Sequence, residues 1–429
     1  MKSQRTLSYA VPLALGAALV ACAGSAFGSS FQLQEQSASG LGVAYAGMGA
    51  ATQDASTVFW NPAGMAFMTE REISVSADYI APKFDFTSAG PPPAGSTYNV
   101  FGNDGNAGVS AVVPGLYLRM PITPRLSAGL AVNAPFGLTT EWKSPWAGMF
   151  IAVKSKIQTV NINPGISWKA SDFLSFGVGV SYQRLQATLT NALTPLVPAA
   201  QGRVDGNDWA WGWNVGVLAD FDEGTRVALT YRSGASYHVT GALSFNAAAA
   251  PLAPVLPPPS AIAANLKLPD TASLAIAQRF DSGVRVLADL SWTGWNSLQA
   301  LTIIATSGPL AGHPVSNLNL GNTNSWRAGI GVEVPVNHVW LLRVGTAYDR
   351  SPIPDKFREP RLPDNDRTWL AVGARFQPGD RWSCDIGYAH LWVKDGKSEL
   401  PATGPVPGAL IGTYTSDINI FGVQGSVHF

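Results

Sequence analysis

From Glu72 to Phe429, large apolar side chains return at every second position, and turn signals break the pattern into segments. In the run Trp209–Ala219, the odd positions carry Trp209, Trp211, Trp213, Val215 and Val217, while the even positions are mainly small or polar. Successive side chains of a strand point to opposite faces, so each such run predicts a strand with one face in an apolar medium and the other against a packed or wet interior. The same alternation returns in Val284, Val286, Ala288, Leu290 and Trp292, in Trp326, Ala328, Ile330 and Val332, and in Trp340, Leu342 and Val344. Aromatic residues gather at the ends of these runs, as in the girdles of a membrane β-barrel. In the run that contains Cys384, parity puts Trp382, Cys384, Ile386 and Tyr388 on the lipid face and Asp385 and Gly387 inside.

Turn signals alternate between short and long. Short ones fall at Pro121–Pro124, Ala170–Asp172, Asp222–Thr225, Asp281–Gly283, Val336–His338 and Pro378–Asp380. Long ones fall near 87–107, 139–152, 190–207, 244–267, 305–322, 352–364 and 394–412. These connections predict an all-β protein, a transmembrane antiparallel β-barrel of about fourteen strands spanning 71–429, an even number as such barrels require. Both chain ends then lie on the short-turn, periplasmic side.

The stretch ahead of the strands is different. Ser29 to Met68 has little alternation and is crowded with small residues, among them Ser37, Ala38, Gly40, Gly42, Ala46, Gly47 and Gly49. Small side chains let a backbone pack closely against a curved wall, so 29–70 predicts a hatch folded inside the barrel, with a flexible periplasmic leader as the bland alternative. Gly40-Leu41-Gly42 and Gly47-Met48-Gly49 lack the preceding strand and following helix that a phosphate loop needs. Asn61-Pro62 is a turn signal, because proline disfavours the helical region for the residue before it.

Composition strengthens the membrane assignment. Only 13 % of residues are charged, against 44 glycines and 14 tryptophans. After residue 30 no apolar run reaches the roughly 18 residues of a spanning helix. At the N-terminus, Lys2 and Arg5 precede an apolar Leu7–Ala21, and Ala26-Phe27-Gly28 offers a small-x-small cleavage site, so 1–28 predicts an export signal. Leu19-Val20-Ala21-Cys22 also resembles a lipobox, which leaves lipidation of Cys22 open. Without Lys2 and Arg5 the 28 basic residues become 26 against 28 acidic ones, a balance that recruits neither nucleic acid nor an anionic surface. Cys384 is the cysteine remaining in the body, so no disulfide or metal cluster is predicted. No cofactor motif occurs, and the five histidines form no Ser-His-Asp order, which argues against an enzyme.

Two long loops are chemically unusual. Leu193, Leu196 and Val197 in one, and Leu252, Val255 and Leu256 in the other, are apolar and lie among prolines. Exposed contiguous apolar surface marks a place that binds something apolar, either a small molecule or, for an adhesin or receptor, another protein. The C-terminal run Phe421–Phe429 alternates and ends on an aromatic, like the strand that outer-membrane assembly machinery recognises.

Phe31-Gln32-Leu33-Gln34-Glu35-Gln36-Ser37-Ala38-Ser39-Gly40-Leu41-Gly42, Asn61-Pro62-Ala63 and Phe136-Gly137-Leu138-Thr139-Thr140-Glu141-Trp142 together resemble the FadL-type outer-membrane channels for long-chain fatty acids and other hydrophobic compounds. Ser351-Pro352-Ile353-Pro354 and Leu362-Pro363-Asp364-Asn365-Asp366-Arg367, followed by Trp369, extend the likeness over the mature chain. The resemblance implies a fourteen-stranded barrel with a hatch and an inward kink in the third strand, set in outer-membrane lipid and lipopolysaccharide. A plugged single barrel has no evident need of partner chains, so a monomer is expected, with oligomeric state left open. It implies collection of a hydrophobic small molecule between loops 190–207 and 244–267, passage to an interior pocket, and sideways exit. The hatch and gate would be Phe31, Asn61, Pro62 and Ala63, with the Asn61 amide satisfying backbone groups freed by the kink. The kink would fall at Asn133, Pro135, Phe136 and Gly137. A carboxylate on the substrate would need a cation. Parity places Arg327, Arg343 and Arg367 inside, where acids such as Asp289 and Glu333 compete for them. The resemblance suggests a ligand contact at Arg184, although parity points it outward. Fatty acid and aromatic hydrocarbon remain alternative substrates.

Overall fold

The computed structural model describes residues 30–89, 105–221, 224–400 and 410–429. The expected export signal, Cys22 and Ser29 lie outside the described residues, as do parts of the first and last long loops.

Among the described residues, fourteen antiparallel strands close into a barrel. They are β1 (Glu72–Ser88), β2 (Ala111–Thr123), β3 (Leu126–Asn133 and Gly137–Glu141), β4 (Lys154–Lys169), β5 (Leu174–Ala192), β6 (Gln201–Phe221) and β7 (Thr225–Arg232 and Ser236–Phe245). Then follow β8 (Ser260–Lys267 and Thr271–Arg279), β9 (Arg285–Thr293 and Ala300–Ala305), β10 (Pro314–Asn319 and Ser325–Pro335) and β11 (Trp340–Asp349). The last are β12 (Arg367–Phe376), β13 (Trp382–Leu400) and β14 (Leu410–His428). Each strand pairs with its sequence neighbour, and β1 closes on β14 from Glu72↔His428 to Ser88↔Gly412. Closure removes the open edge that lipid could not hydrogen-bond.

The outer face is apolar, as alternation predicts. Trp382 and Ile386 are exposed and Cys384 shares their face, while Ser383 and Asp385 are buried inside. β5 reaches Ala192 and β6 begins at Gln201, so the third outer loop shortens from the expected 190–207 to 193–200. The fourth shortens to 246–259, between Phe245 and Ser260.

The hatch fills the interior. It folds as three short helices, α1 (Ala38–Leu41), α2 (Met48–Ala51) and α3 (Thr57–Trp60), then a 3-10 turn over Pro62–Phe67. Ser37 caps α1 by accepting the Gly40 N–H on its side chain. The small residues serve close approach. A β-carbon on Gly345 of β11 would sit 2.2 Å from the Val43 backbone, and one on Gly177 of β5 would sit 2.2 Å from the Ala63 nitrogen.

Charge anchors the hatch as well. Arg343 bridges the Glu333 and Asp385 carboxylates, and Arg375 joins Asp385 to Asp54 of the hatch. Gln53 donates to Glu333 and accepts from Arg343 at 2.8 Å. Pairing of this kind offsets the cost of burying charge.

Candidate functional site

The third strand is broken where proline interrupts it. β3 pairs with β4 up to Asn133↔Asn161 and again from Gly137↔Gln158. Residues 134–136 therefore stand opposite only Thr159 and Val160, a one-residue bulge that bends the strand inward. Pro135 has no N–H to give a ladder. Thr159 stitches the bulge together, its hydroxyl accepting the Phe136 N–H at 2.9 Å and donating to the Phe136 carbonyl at 2.7 Å.

On the other side the wall is unpaired. The β2–β3 ladder ends at Leu116↔Val132, and the next contact is the isolated bridge Gly108↔Thr140. Between them residues 133–139 have no strand partner on β2. The hatch takes that role: Leu33 N–H donates to the Pro135 carbonyl at 2.8 Å, and Gly137 N–H to the Phe31 carbonyl at 2.9 Å. Gln36 donates its side-chain amide to the Ala134 carbonyl at 3.1 Å and accepts from Asn133 at 2.7 Å.

The expected role of Asn61 is therefore corrected. Its amide donates to Gly49 of the hatch at 2.8 Å and to Val217 of β6 at 3.4 Å, and its oxygen accepts the Ala63 N–H at 3.0 Å. Asn61, Pro62 and Ala63 seat the hatch on β5 and β6, where Gly177 and Gly216 leave room, and Gln36 with Phe31 and Leu33 meets the kink. Phe31 also packs its ring on Phe136 at 5.9 Å and on the buried Trp295 at 4.9 Å. Trp295 comes from the interruption of β9 and turns inward.

An interior pocket opens beside this junction. Apolar lining comes from Met48, Phe59, Trp60, Pro135 and Phe136, and polar lining from the inner faces of β5 to β11, including Asp289 and the buried Asp349. Arg327 lines it, but Asp289 holds its guanidinium at 3.3 Å, and it also donates to the Ala44 carbonyl. Arg367 lies outside the lining and is paired with Asp364. Arg184 is corrected outright: it sits on the exposed outer face of β5, opposite Trp209, as strand parity indicates.

A different arginine reaches the pocket. Arg232, half-buried at the first end of broken β7, donates to Asn163 Oδ1 and Ser181 Oγ, each at 3.2 Å, and to the Phe59 carbonyl at 2.7 Å. Parity could have found it, since Leu229 and Tyr231 lie outward on the same run.

At the outer end, Leu196 is 88 % exposed and Val255 is 80 % exposed, while Leu193, Val197, Leu252 and Leu256 are half-buried. The two loops are tied together at their bases: Asn246 donates to the Ala199 carbonyl at 2.8 Å and accepts the Gln201 N–H at 2.9 Å.

Known proteins share this architecture. The family model "Outer membrane protein transport protein (OMPP1/FadL/TodX)" matches residues 19–429. The "Long-chain fatty acid transport protein" of Escherichia coli (strain K12) is 29 % identical over 426 residues, covering 91 % of this chain and 93 % of that protein. The "47 kDa outer membrane protein" of Pasteurella multocida (strain Pm70) is 30 % identical over 438 residues, covering 97 % of each. Among solved structures, a Pseudomonas aeruginosa FadL homologue superposes with a TM-score of 0.84 at 24 % identity, covering 93 % of this chain and 100 % of that one. The Pseudomonas putida toluene transporter TodX gives a TM-score of 0.66 at 16 % identity, covering 94 % of this chain and 100 % of that one, a likeness of fold.

Proposed function

The chain belongs to the OMPP1/FadL/TodX family of outer-membrane transport proteins, and on that premise we propose that it is a passive channel for long-chain fatty acids and related hydrophobic compounds, released sideways through the wall. The exposed Leu196 and Val255 collect the substrate from outside. It then enters the pocket beside the hatch and leaves between β2 and β3 into the surrounding lipid.

One observation carries the lateral route: residues 133–139 lack a strand partner on β2, directly beside the Pro135–Phe136 lining of the pocket. Physical cost favours it as well. A route ending in water would expose apolar surface at about 25 cal/mol per Å², whereas an exit into lipid avoids that term. Nothing in such a route requires bond chemistry; graded affinity along an apolar path is enough.

The test is to straighten the third strand. Deleting Ala134 leaves two residues opposite Thr159 and Val160 and restores the register. Uptake of oleate per folded barrel should then fall strongly, with heat-modifiable gel mobility as the folding control. Unchanged uptake in a correctly folded deletion variant would instead favour a path past the hatch into the periplasm.

A further inference from the structure

Arg184 has no part in the pocket and stands exposed on the outer face of β5. The aromatic belts give its height on the wall. At the periplasmic end Phe173 stacks with Phe221 at 6.4 Å, and toward the outer end Tyr182 stacks with Trp209 at 4.5 Å and packs on Trp211 at 4.4 Å. Val178 and Val180, each 48 % exposed, lie between the two belts. A strand tilted by about 40° climbs about 2.5 Å per residue, so Arg184 stands about 28 Å above Phe173, just past an apolar band about 25 Å tall. That is the level of the outer-leaflet headgroups.

The surface around Arg184 is polar and cationic. On the same face, Gln186 of β5 stands between Gln158 of β4 and Asn207 of β6. The next outward row is Lys156, Thr188 and Asp205. One strand and four residues separate Arg184 from Lys156, about 14 Å between backbones, and the row of amides lies between them. The acids that border these rows are taken: Glu141 holds Lys154 at 2.7 Å, and Asp205 is held by Arg203 and accepts from Thr188 at 2.7 Å. Among the described residues, no carboxylate lies within ion-pair distance of Arg184 or Lys156.

A guanidinium fork, an ammonium and three amides thus share one face, with positive charge in excess and no counter-charge from the protein. Phosphate oxygens accept from such donors and cancel the charge, which an uncharged headgroup cannot do. Two cations about 14 Å apart suit a headgroup with more than one phosphate, and the aromatic belt beneath them suits its acyl chains. We infer that Arg184 and Lys156, with the row Gln158, Gln186 and Asn207, bind the phosphorylated sugar headgroup of an outer-leaflet lipopolysaccharide. The bland alternative is that both cations extend into water without a fixed partner. They would then attract anions in general and would not tell one anionic headgroup from another.

The experiment is native mass spectrometry of the purified, folded barrel in non-ionic detergent. It is titrated with diphosphorylated lipid A, with the same lipid stripped of phosphate, and with phosphatidylglycerol. The wild type should bind diphosphorylated lipid A about 10- to 100-fold more tightly than either other lipid, the span of charge-assisted hydrogen bonds. Arg184→Gln and Lys156→Gln should each lose about 5- to 10-fold of that affinity. Arg125→Gln, the same charge change on an exposed residue at the short-turn end, should stay within about twofold of the wild type. Heat-modifiable mobility serves as the folding control. A loss in Arg184→Gln no larger than in Arg125→Gln would overturn the inference. So would a wild type that holds all three lipids alike, or the two anionic ones alike, a result that needs no variant to fold.

Discussion

The backbone N–H of Leu33 meets the carbonyl of Pro135 at 2.8 Å, which makes the hatch the strand partner of the kinked wall. Replacing Leu33 by proline deletes that donor without touching the barrel's own ladders. A buried carbonyl left unmet costs about 1–3 kcal/mol. Leu33→Pro should therefore speed hydrogen exchange across 31–37 by roughly ten- to a hundredfold, with unchanged heat-modifiable mobility of the barrel. Unaltered exchange would mean that the aromatic contacts alone hold the hatch at the kink.

The strands were legible because a half-lipid, half-lumen wall imposes a period of two on every segment. Parity even decided Arg184 correctly against the family resemblance, since one residue's phase is fixed by its neighbours Val178 and Val180. It would also have found Arg232. The interruptions were not legible. In β7 the exposed positions are odd at Leu229 and even at His238, because Ser233–Ala235 shift the phase, and the alternation cancels across the break. Nor was the hatch's partner at the kink. Its three helices of four residues each carry no periodic signal, so nothing in the sequence favoured the Gln36 amide over that of Asn61.

Arg343 should matter far more than a surface arginine. It lies between the buried Glu333 and Asp385, each of which keeps one other arginine, Arg285 and Arg375. Breaking a buried pair typically costs about 3–5 kcal/mol, and the remaining arginines place Arg343→Met near the lower end. The exposed Arg203–Asp205 pair is worth at most about 1 kcal/mol. Guanidinium unfolding should show a clear drop in midpoint for Arg343→Met and almost none for Arg203→Met. Equal midpoints would show that water reaches the interior network.

The hatch should loosen as pH rises. Burial pushes the Glu35 carboxyl up to about 8 from its ordinary 4.5, so the packed hatch holds a proton that a detached hatch would release. The packed state binds more protons between those two values, and its stability falls there by about 1.4 kcal/mol per pH unit, levelling off above 8. Below 4.5 both states are protonated and no dependence remains from this group. Hydrogen exchange at 31–37 should therefore quicken from pH 5 to 8 after correction for intrinsic rate, and Glu35→Gln should flatten that slope. A slope of opposite sign would place a compensating cation on Glu35.

Trp295 tests whether the broken upper wall takes part in gating. The interruption of β9 turns this indole inward onto Phe31, at 4.9 Å, and Phe136, at 6.2 Å, so one side chain touches both the hatch and the kink. Trp292, three residues earlier, is 40 % exposed on the outer face and touches neither. Truncating a buried tryptophan costs about 3–5 kcal/mol through lost burial and the cavity it leaves. Because the barrel closes through its ladders, that loss should appear locally, as a freer hatch end and a wider path past Phe136. Trp295→Ala should then raise the oleate uptake rate and speed exchange at 31–37, while Trp292→Ala should change neither. If Trp295→Ala instead lowers uptake with the barrel folded, the indole is part of the surface that guides the substrate to the wall, and the gate lies elsewhere.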